Sequence, residues 1–306
     1  MSIIDKMRRV HGELHERKKR KKDTKIILSE IEKSSIQIMT IDETLDCLER
    51  GLSIARFGDG EFNIIAGGGI AYQTVDVQLA NRLREILVSK PTNCLIGVPD
   101  AISTLDNLTA ESLEFWTQNM IYCRKKWVEL LTEKPDPIYR YGNTNVSRCY
   151  IRYQNKQFAG VWFERLMGVW QDKNVVVIEG EKTRLGCKND FLKNAKSVKR
   201  IIGPAENAFA KIHEILKYVS ENVDRSSVIL LALGPTATVM AYELAQMGYQ
   251  ALDLGHCDIE YEWYCMGAVK KVAIQGKYTN EARNGRIVDN STVDDDYLSQ
   301  IIKRIT

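Results

Sequence analysis

Between Asn174 and Leu254, short apolar runs alternate with longer segments of helical periodicity, and this alternation constrains the fold more than any other feature of the chain. Val175-Val176-Val177-Ile178, Val198 to Ile202, Val228 to Leu233 and Ala251 to Leu254 read as strands. Helices are expected near Asn189 to Ala195, at Ala205 to Val219 and at Ala237 to Met247. Strands that are apolar throughout are covered on both faces. Strands separated by helices pair in parallel. The expected fold class is therefore α/β: a Rossmann-like, mostly parallel sheet with helices on both faces.

Upstream, Thr40-Ile41-Asp42-Glu43 has the capping-box pattern of a helix start, and that helix stops near Gly51. A strand from Leu52 to Phe57, a helix from Asp76 to Ser89, a strand from Cys94 to Val98 and a long helix from Thr109 to Leu131 follow. The Phe115, Trp116, Met120, Trp127, Leu130 and Leu131 stripe of the long helix reads as core. No Gly-, Ser- or Pro-rich linker interrupts the chain after Thr40, so residues 37–306 are expected to be one domain.

Residues 1–36 differ in composition and are expected to form a basic helical arm, with Arg17-Lys18-Lys19-Arg20-Lys21-Lys22 at its centre. Such an arm is either a solvated helix or a surface that touches anionic lipid or a partner protein. Nucleic acid is not an expected partner. The net charge of +3 is close to neutral for 306 residues, and no aromatic residues interleave with the basic run to stack on bases. Seven cysteines, none in a CxxC pair, read as reduced thiols. The N-terminus lacks the apolar core of a secretory signal, and the longest apolar run falls far short of the ~20 residues that cross a bilayer. The expected location is cytoplasmic, with peripheral contact at the inner face of a membrane if the arm binds lipid.

Ligands of open parallel sheets bind beyond the carboxyl ends of the strands, which makes the segments after each strand the place to look for chemistry. After Phe57 come Gly58-Asp59-Gly60-Glu61. On an extended backbone Asp59 and Glu61 would point the same way, and hard cations such as Mg2+ or Mn2+ take oxygen ligands of this kind, completing their shells with water and phosphate. The alternative is a polar turn. After Ile178 come Glu179, Glu181 and Arg184; the arginine could clamp a diphosphate or form a surface ion pair. Gly234-Pro235-Thr236-Ala237-Thr238 would start a helix whose free amides and hydroxyls suit phosphate. After Leu254, His256, Asp258, Glu260 and Glu262 fall on alternate residues, so an extended segment would present all four as candidate bases. They could equally be the wet side of an edge strand. GxGxxG, P-loop, GxSxG and HExxH patterns are absent.

Taken in order, Arg56-Phe57-Gly58-Asp59-Gly60-Glu61, Gly180 to Gly186, Ala232 to Thr238 and Asp253 to Trp263 resemble the bacterial GT-D type glycosyltransferases, over about residues 40 to 280. The resemblance implies a Rossmann-like nucleotide-sugar transferase with a DxE motif, acting in assembly of bacterial surface polysaccharides or glycoproteins. Carried onto this sequence, it implies a divalent metal at Asp59 and Glu61 and a UDP-sugar donor. Arg56, Gly58, Gly60, Glu181, Arg184, Gly234, Thr236 and Thr238 are the expected donor-binding set, and Glu262, Asp258, His256 and Glu260 the candidate catalytic residues. The acceptor would be a glycan, a lipid-linked glycan or a glycoprotein, and the transferred sugar a hexose, with glucose preferred. A non-catalytic nucleotide-sugar-binding scaffold subunit is the alternative. A Rossmann-like methyltransferase is a weaker one, disfavoured by the paired acids.

Overall fold

A computed structural model of the chain describes residues 18–19, 21–32, 34–134, 136–279, 281–286, 288 and 295–306. Among these, nine strands form one sheet: β1 (Gln37–Ile38), β2 (Ser53–Arg56), β3 (Cys94–Val98), β4 (Arg140–Asn143), β5 (Asn174–Gly180), β6 (Ser197–Gly203), β7 (Val228–Ala232), β8 (Gln250–Asp253) and β9 (Ile301–Arg304). Their order is β1-β4-β3-β2-β8-β7-β5-β6-β9, and every pairing is parallel. β3 and β7 are buried along their whole length and β5 at all but its first residue, as strands covered on both faces must be.

The connecting helices are α1 (Ile41–Glu49), α2 (Asp59–Ile65), α3 (Val77–Leu87), α4 (Ala110–Leu131), α5 (Ala159–Gly168), α6 (Ile212–Asn222), α7 (Pro235–Gln246) and α8 (Cys257–Cys265). Right-handed crossovers place α3, α4, α6 and α7 over one face of the sheet, and α1 and α5 over the other. The contacts agree, since α7 packs on α3 and α6 while α1 packs on α5. The α1 capping box forms as the sequence predicts: Glu43 N donates to Thr40 Oγ1 at 3.1 Å and Thr40 N to Glu43 Oε2 at 2.9 Å.

One expected helix is missing. Residues 189–195 are turns, because Asn189 Oδ1 accepts from Phe191 N at 3.1 Å and so offers the backbone an Asx turn in place of a helix. The described part of the arm is helical over residues 21–31 and lies along α4 in the same direction. Thr24 and Thr117 hydroxyls sit 3.5 Å apart, Arg124 Nη1 reaches Glu30 Oε2 at 3.5 Å, and Ile27 is fully buried. Lys18, Lys19, Lys21, Lys22 and Lys25 face solvent. Arg17 and Arg20 of the basic run lie outside the described residues.

At the far edge, β9 joins β6 over a buried charge pair. Glu179 sits in β5 and not in a solvated turn; its Oε1 meets Arg200 Nη1 at 2.7 Å and accepts from Tyr297 OH at 3.1 Å, while its Oε2 accepts from Leu185 N at 2.7 Å. Arg200 Nε donates to Gln300 Oε1 at 2.8 Å, and the guanidinium lies over the Tyr297 ring.

Candidate active site at the strand carboxyl ends

Strand order reverses direction between β2 and β8: the chain runs from β2 outward to β3 and β4, and β5 to β9 fill in from the other side. Such switch points are where ligands of parallel sheets bind. A cavity of about 580 Å³ opens there, walled by residues that follow β2 through β8. Its size is that of a typical small-molecule site.

Asp59 and Glu61 both line this cavity, but on a helix and not on an extended segment. They occupy the first turn of α2, where carboxylates are favoured by the free amides. Gly58 is the N-cap; its N–H donates to Glu61 Oε2 at 2.8 Å, and a Cβ there would stand 3.3 Å from that oxygen. Asp59 is exposed and Glu61 half-buried. Burial pushes the Glu61 carboxyl up to about 7, with Asp253 and Asp59 adding to the rise and the Gly58 amide opposing it.

Arg56 lines the cleft, but its charge is already engaged. Nη2 meets Asp253 Oδ1 at 3.0 Å and the backbone N–H reaches Asp253 Oδ2 at 3.2 Å, while Thr238 Oγ1 lies 2.9 Å from Arg56 O and 3.2 Å from the same Oδ2. Arg56 and Thr238 thus secure the ends of β2 and β8. Gly255, at φ +52°, makes room for this arrangement, because a Cβ would fall 2.3 Å from Arg56 Nη2. Gly255→Ala is therefore expected to lower stability by about 2 kcal/mol, from positive-φ strain and the displaced guanidinium. It should appear as a lower urea midpoint at unchanged m; a midpoint equal to wild type would show that the Arg56 placement is wrong.

The turn after β7 starts a helix, as the sequence predicts. Gly234 adopts φ +57° and ψ −146°, and a Cβ there would press into the Tyr72 ring at 2.8 Å. Pro235 opens α7 without wasting an amide. Thr236 is fully buried behind the cleft wall, and its Oγ1 has no hydrogen-bond partner among the described residues. Gly60 lines the cleft as well.

Other expected residues stand elsewhere. Glu181 is exposed and outside the cleft wall. Arg184 is buried at φ +53° and donates from Nη1 to Gly276 O at 2.8 Å, which fastens the 270–286 strap. The alternating acids after β8 lie on helix α8, so the helical period sorts them into two i, i+4 pairs. Asp258 and Glu262 hold Lys277 Nζ at 2.7 and 2.9 Å and Asn189 Nδ2 at 2.7 and 2.8 Å, away from the cavity. Glu260 is fully buried, accepting from Ile151 N at 3.0 Å and pairing with Arg148 Nε at 3.4 Å. His256 alone of the four reaches the cavity, with Nδ1 3.5 Å from Glu281 Oε1.

Four further cleft residues, Arg148, Lys271, Glu281 and Tyr72, escape the sequence reading. Arg148 grips Glu281 through Nη1 at 2.6 Å and Nη2 at 2.7 Å, and Lys271 Nζ meets the same carboxylate at 2.8 Å. Burial alone would raise the Glu281 carboxyl, but Arg148, His256 and Lys271 together hold it well below the ordinary carboxylate range. Tyr72 lies across the cleft, its hydroxyl pushed up by burial and by Glu61. Arg148 follows β4, and the strand-end rule would have found it had Arg140-Tyr141-Gly142-Asn143 shown any alternation. Glu281 sits in an irregular strap that carries no periodic signal.

Known proteins share this fold. Residues 54–282 match the family described as Glycosyltransferase GT-D fold. The chain is 38% identical over 291 residues to a protein named probable glycosyl transferase Gly of Streptococcus gordonii, and 40% identical over 273 residues to glycosyltransferase GlyD of Streptococcus pneumoniae. These alignments cover 92% and 88% of the chain but only 40% and 33% of those relatives. Among solved structures, a glycosyltransferase from Streptococcus sanguinis superposes with a TM-score of 0.82 at 38% identity, covering 89% of this chain and all of that one. A conserved domain described as having a distinct glycosyltransferase fold gives 0.83 at 35% identity, covering 92% of this chain and 99% of that one. The alternating strands, the switch-point cleft and these matches lead to one conclusion: the chain belongs to the glycosyltransferase GT-D fold family.

Proposed function

We propose that the protein is a metal-dependent hexosyltransferase that uses a UDP-sugar, with UDP-glucose the first donor to test, and an acceptor on a glycan, a lipid-linked glycan or a glycoprotein. The charge balance of the cleft carries this reading. Arg56 is neutralised by Asp253, and Arg148 and Lys271 by Glu281, with Glu260 also beside Arg148. Asp59 is left as excess negative charge, joined by Glu61 once it has lost its proton, so a diphosphate arriving here needs a further cation.

Asp59 and Glu61 fit that cation. Both offer oxygen, and among the described residues no three ligating side chains converge, so substrate phosphate and water would complete the shell, as Mg2+ and Mn2+ prefer. When bound, such an ion offsets the charge that develops on the departing nucleoside diphosphate. The backbone amides of Gly234 and Thr236 would bind and orient the phosphates. His256, oriented by Glu281, would take the proton of the acceptor hydroxyl. The exposed lysines of the arm suit contact with an anionic membrane surface or a partner protein. No helix among the described residues is long and apolar enough to cross a membrane.

Calorimetric titration with UDP, with and without Mn2+, tests the proposal. UDP binding should require the ion, and UDP that fails to bind in its presence would overturn the reading. Because Glu61 must lose its proton to ligate, Mn2+ affinity should rise with pH and level off above about 7, falling up to about tenfold per unit below it. The same shift makes metal-free stability decline as the pH climbs from the ordinary glutamate range through about 7, since the folded state binds the extra proton there. Glu61→Gln should flatten both profiles. A scaffold subunit would bind UDP and release none from UDP-glucose with any acceptor.

A further inference from the structure

The arm carries a charged face that the chemistry of the cleft leaves unused. Its helix meets the core through Ile27, which is fully buried, and the half-buried Ile31. Lys18, Lys22 and Lys25 recur at i, i+4 and i+7 on the side of the helix opposite those isoleucines, and Lys19 and Lys21 flank them. All five are exposed, and none is paired with an acid among the described residues. The stripe runs about 10 Å along the helix. Between Lys18 and Lys25 the only acid is the half-buried Asp23. Ile26 and Leu28, 40% and 39% exposed, stand one on each side of the stripe.

The register of the arm on α4 fixes where this face lies. Thr24 stands by Thr117 and Glu30 by Arg124, offsets of 93 and 94 residues, so the two helices run in step. Carried back toward the start of the arm, that register sets Lys18 to Lys22 beside the first turns of α4, where Glu111, Ser112, Phe115 and Trp116 wall the cleft. The lysine face thus ends at the rim of the cleft.

Two properties of the face favour a lipid surface over an acidic protein. Its described cations are all lysine, which is depleted at protein interfaces, whereas arginine, whose planar fork grips carboxylates in pairs, is enriched there. Lipid phosphates ask only for point charges along a plane, and a straight stripe of ammonium groups on long stems supplies them. Ile26 and Leu28 add the apolar shoulders that enter the headgroup boundary when a basic helix lies in the interface.

We infer that the lysine face of the arm is a docking surface for an anionic bilayer, and that docking brings the rim of the cleft formed by α4 to the level of the headgroups. The surface and its orientation hold whether or not a sugar is transferred in the cleft.

Co-sedimentation of the full chain with vesicles tests the surface, and hydrogen exchange on the bound protein tests the orientation. The protein should sediment with phosphatidylcholine vesicles that contain about a third phosphatidylglycerol, and not with phosphatidylcholine alone. About 0.5 M NaCl, which shortens the screening length to roughly 4 Å, should release it. The triple variant Lys18→Gln, Lys22→Gln, Lys25→Gln should bind the anionic vesicles about a hundredfold more weakly, roughly fivefold per lysine. Lys173→Gln, Lys196→Gln, Lys217→Gln removes the same charge at exposed positions elsewhere and should bind as wild type does. On anionic vesicles, exchange should slow over residues 21–31 and at the start of α4, and stay unchanged at β9 on the far edge of the sheet. Equal binding to neutral vesicles, equal losses in the two triple variants, or protection at β9 in place of α4 would each overturn the inference. So would no binding to anionic vesicles, which would leave an acidic protein as the partner of the arm. Vesicle binding by a protein that fails to take UDP with Mn2+ would uphold the docking surface and sink the nucleotide-sugar reading alone.

Discussion

Asp59→Ala is expected to reduce UDP-glucose turnover about a thousandfold while leaving the fold intact. The size follows from the role: loss of a preorganised electrostatic partner of the departing charge removes several kcal/mol of transition-state stabilisation, and each 1.36 kcal/mol is tenfold in rate. Stability should move by no more than about 0.5 kcal/mol, because Asp59 is exposed at the start of α2 and its carboxylate is not buried against a cation. Initial rates of UDP release at saturating Mn2+, read beside a thermal melt, separate the two effects. A variant with wild-type turnover would remove the metal from Asp59, and chelator-resistant activity in the wild type would remove it from the mechanism.

Arg200→Met is expected to have the largest effect on stability, about 3–5 kcal/mol, because it leaves the Glu179 carboxylate in the interior with its cation gone. For a domain of this size that is a fall in melting temperature on the order of 10 °C. The double variant Glu179→Leu, Arg200→Met should recover most of the loss, since a buried pair replaced by apolar groups costs far less than a buried charge left alone. Calorimetric melts of the three proteins decide it. A single variant within 1 kcal/mol of wild type would mean that Glu179 is not buried in solution.

The sheet was legible where its strands are apolar throughout. Cys94–Val98 agrees to the residue, and the strands from β5 to β8 agree within a residue or two at each end, because burial on both faces forces continuous Val, Ile and Leu. β1, β4 and β9 were not seen: β1 is only two residues long, and Arg140-Tyr141-Gly142-Asn143 and Ile301-Ile302-Lys303-Arg304 mix charge with apolar residues at or next to an edge. Residues of the segments after β2, β7 and β8 do line the cleft, but the backbone expected of Asp59 and Glu61 and of the acids after β8 was the wrong one. Acids two apart look like one face of a strand, yet Gly58 followed by Asp59 and Glu61 is also how a helix begins, with carboxylates in its first turn. After β8, the apolar Ile259 and Trp263 stand four apart and carried the helical signal that the alternation of His256, Asp258, Glu260 and Glu262 concealed. The partners that tie up Arg56 and Arg148 come from segments remote in sequence, and no local pattern could announce them.

The pairing of β2 with β8 bears on how the molecule comes into being. Arg56 and Asp253 are 197 residues apart, so the seam between them closes only after most of the chain has been made, and closing so long a loop is slow. A nascent chain that stops short of Gln250 already carries Asp59 and Glu61 but has nothing opposite them. Synthesis of β8, and not of the acids themselves, is what closes the cleft.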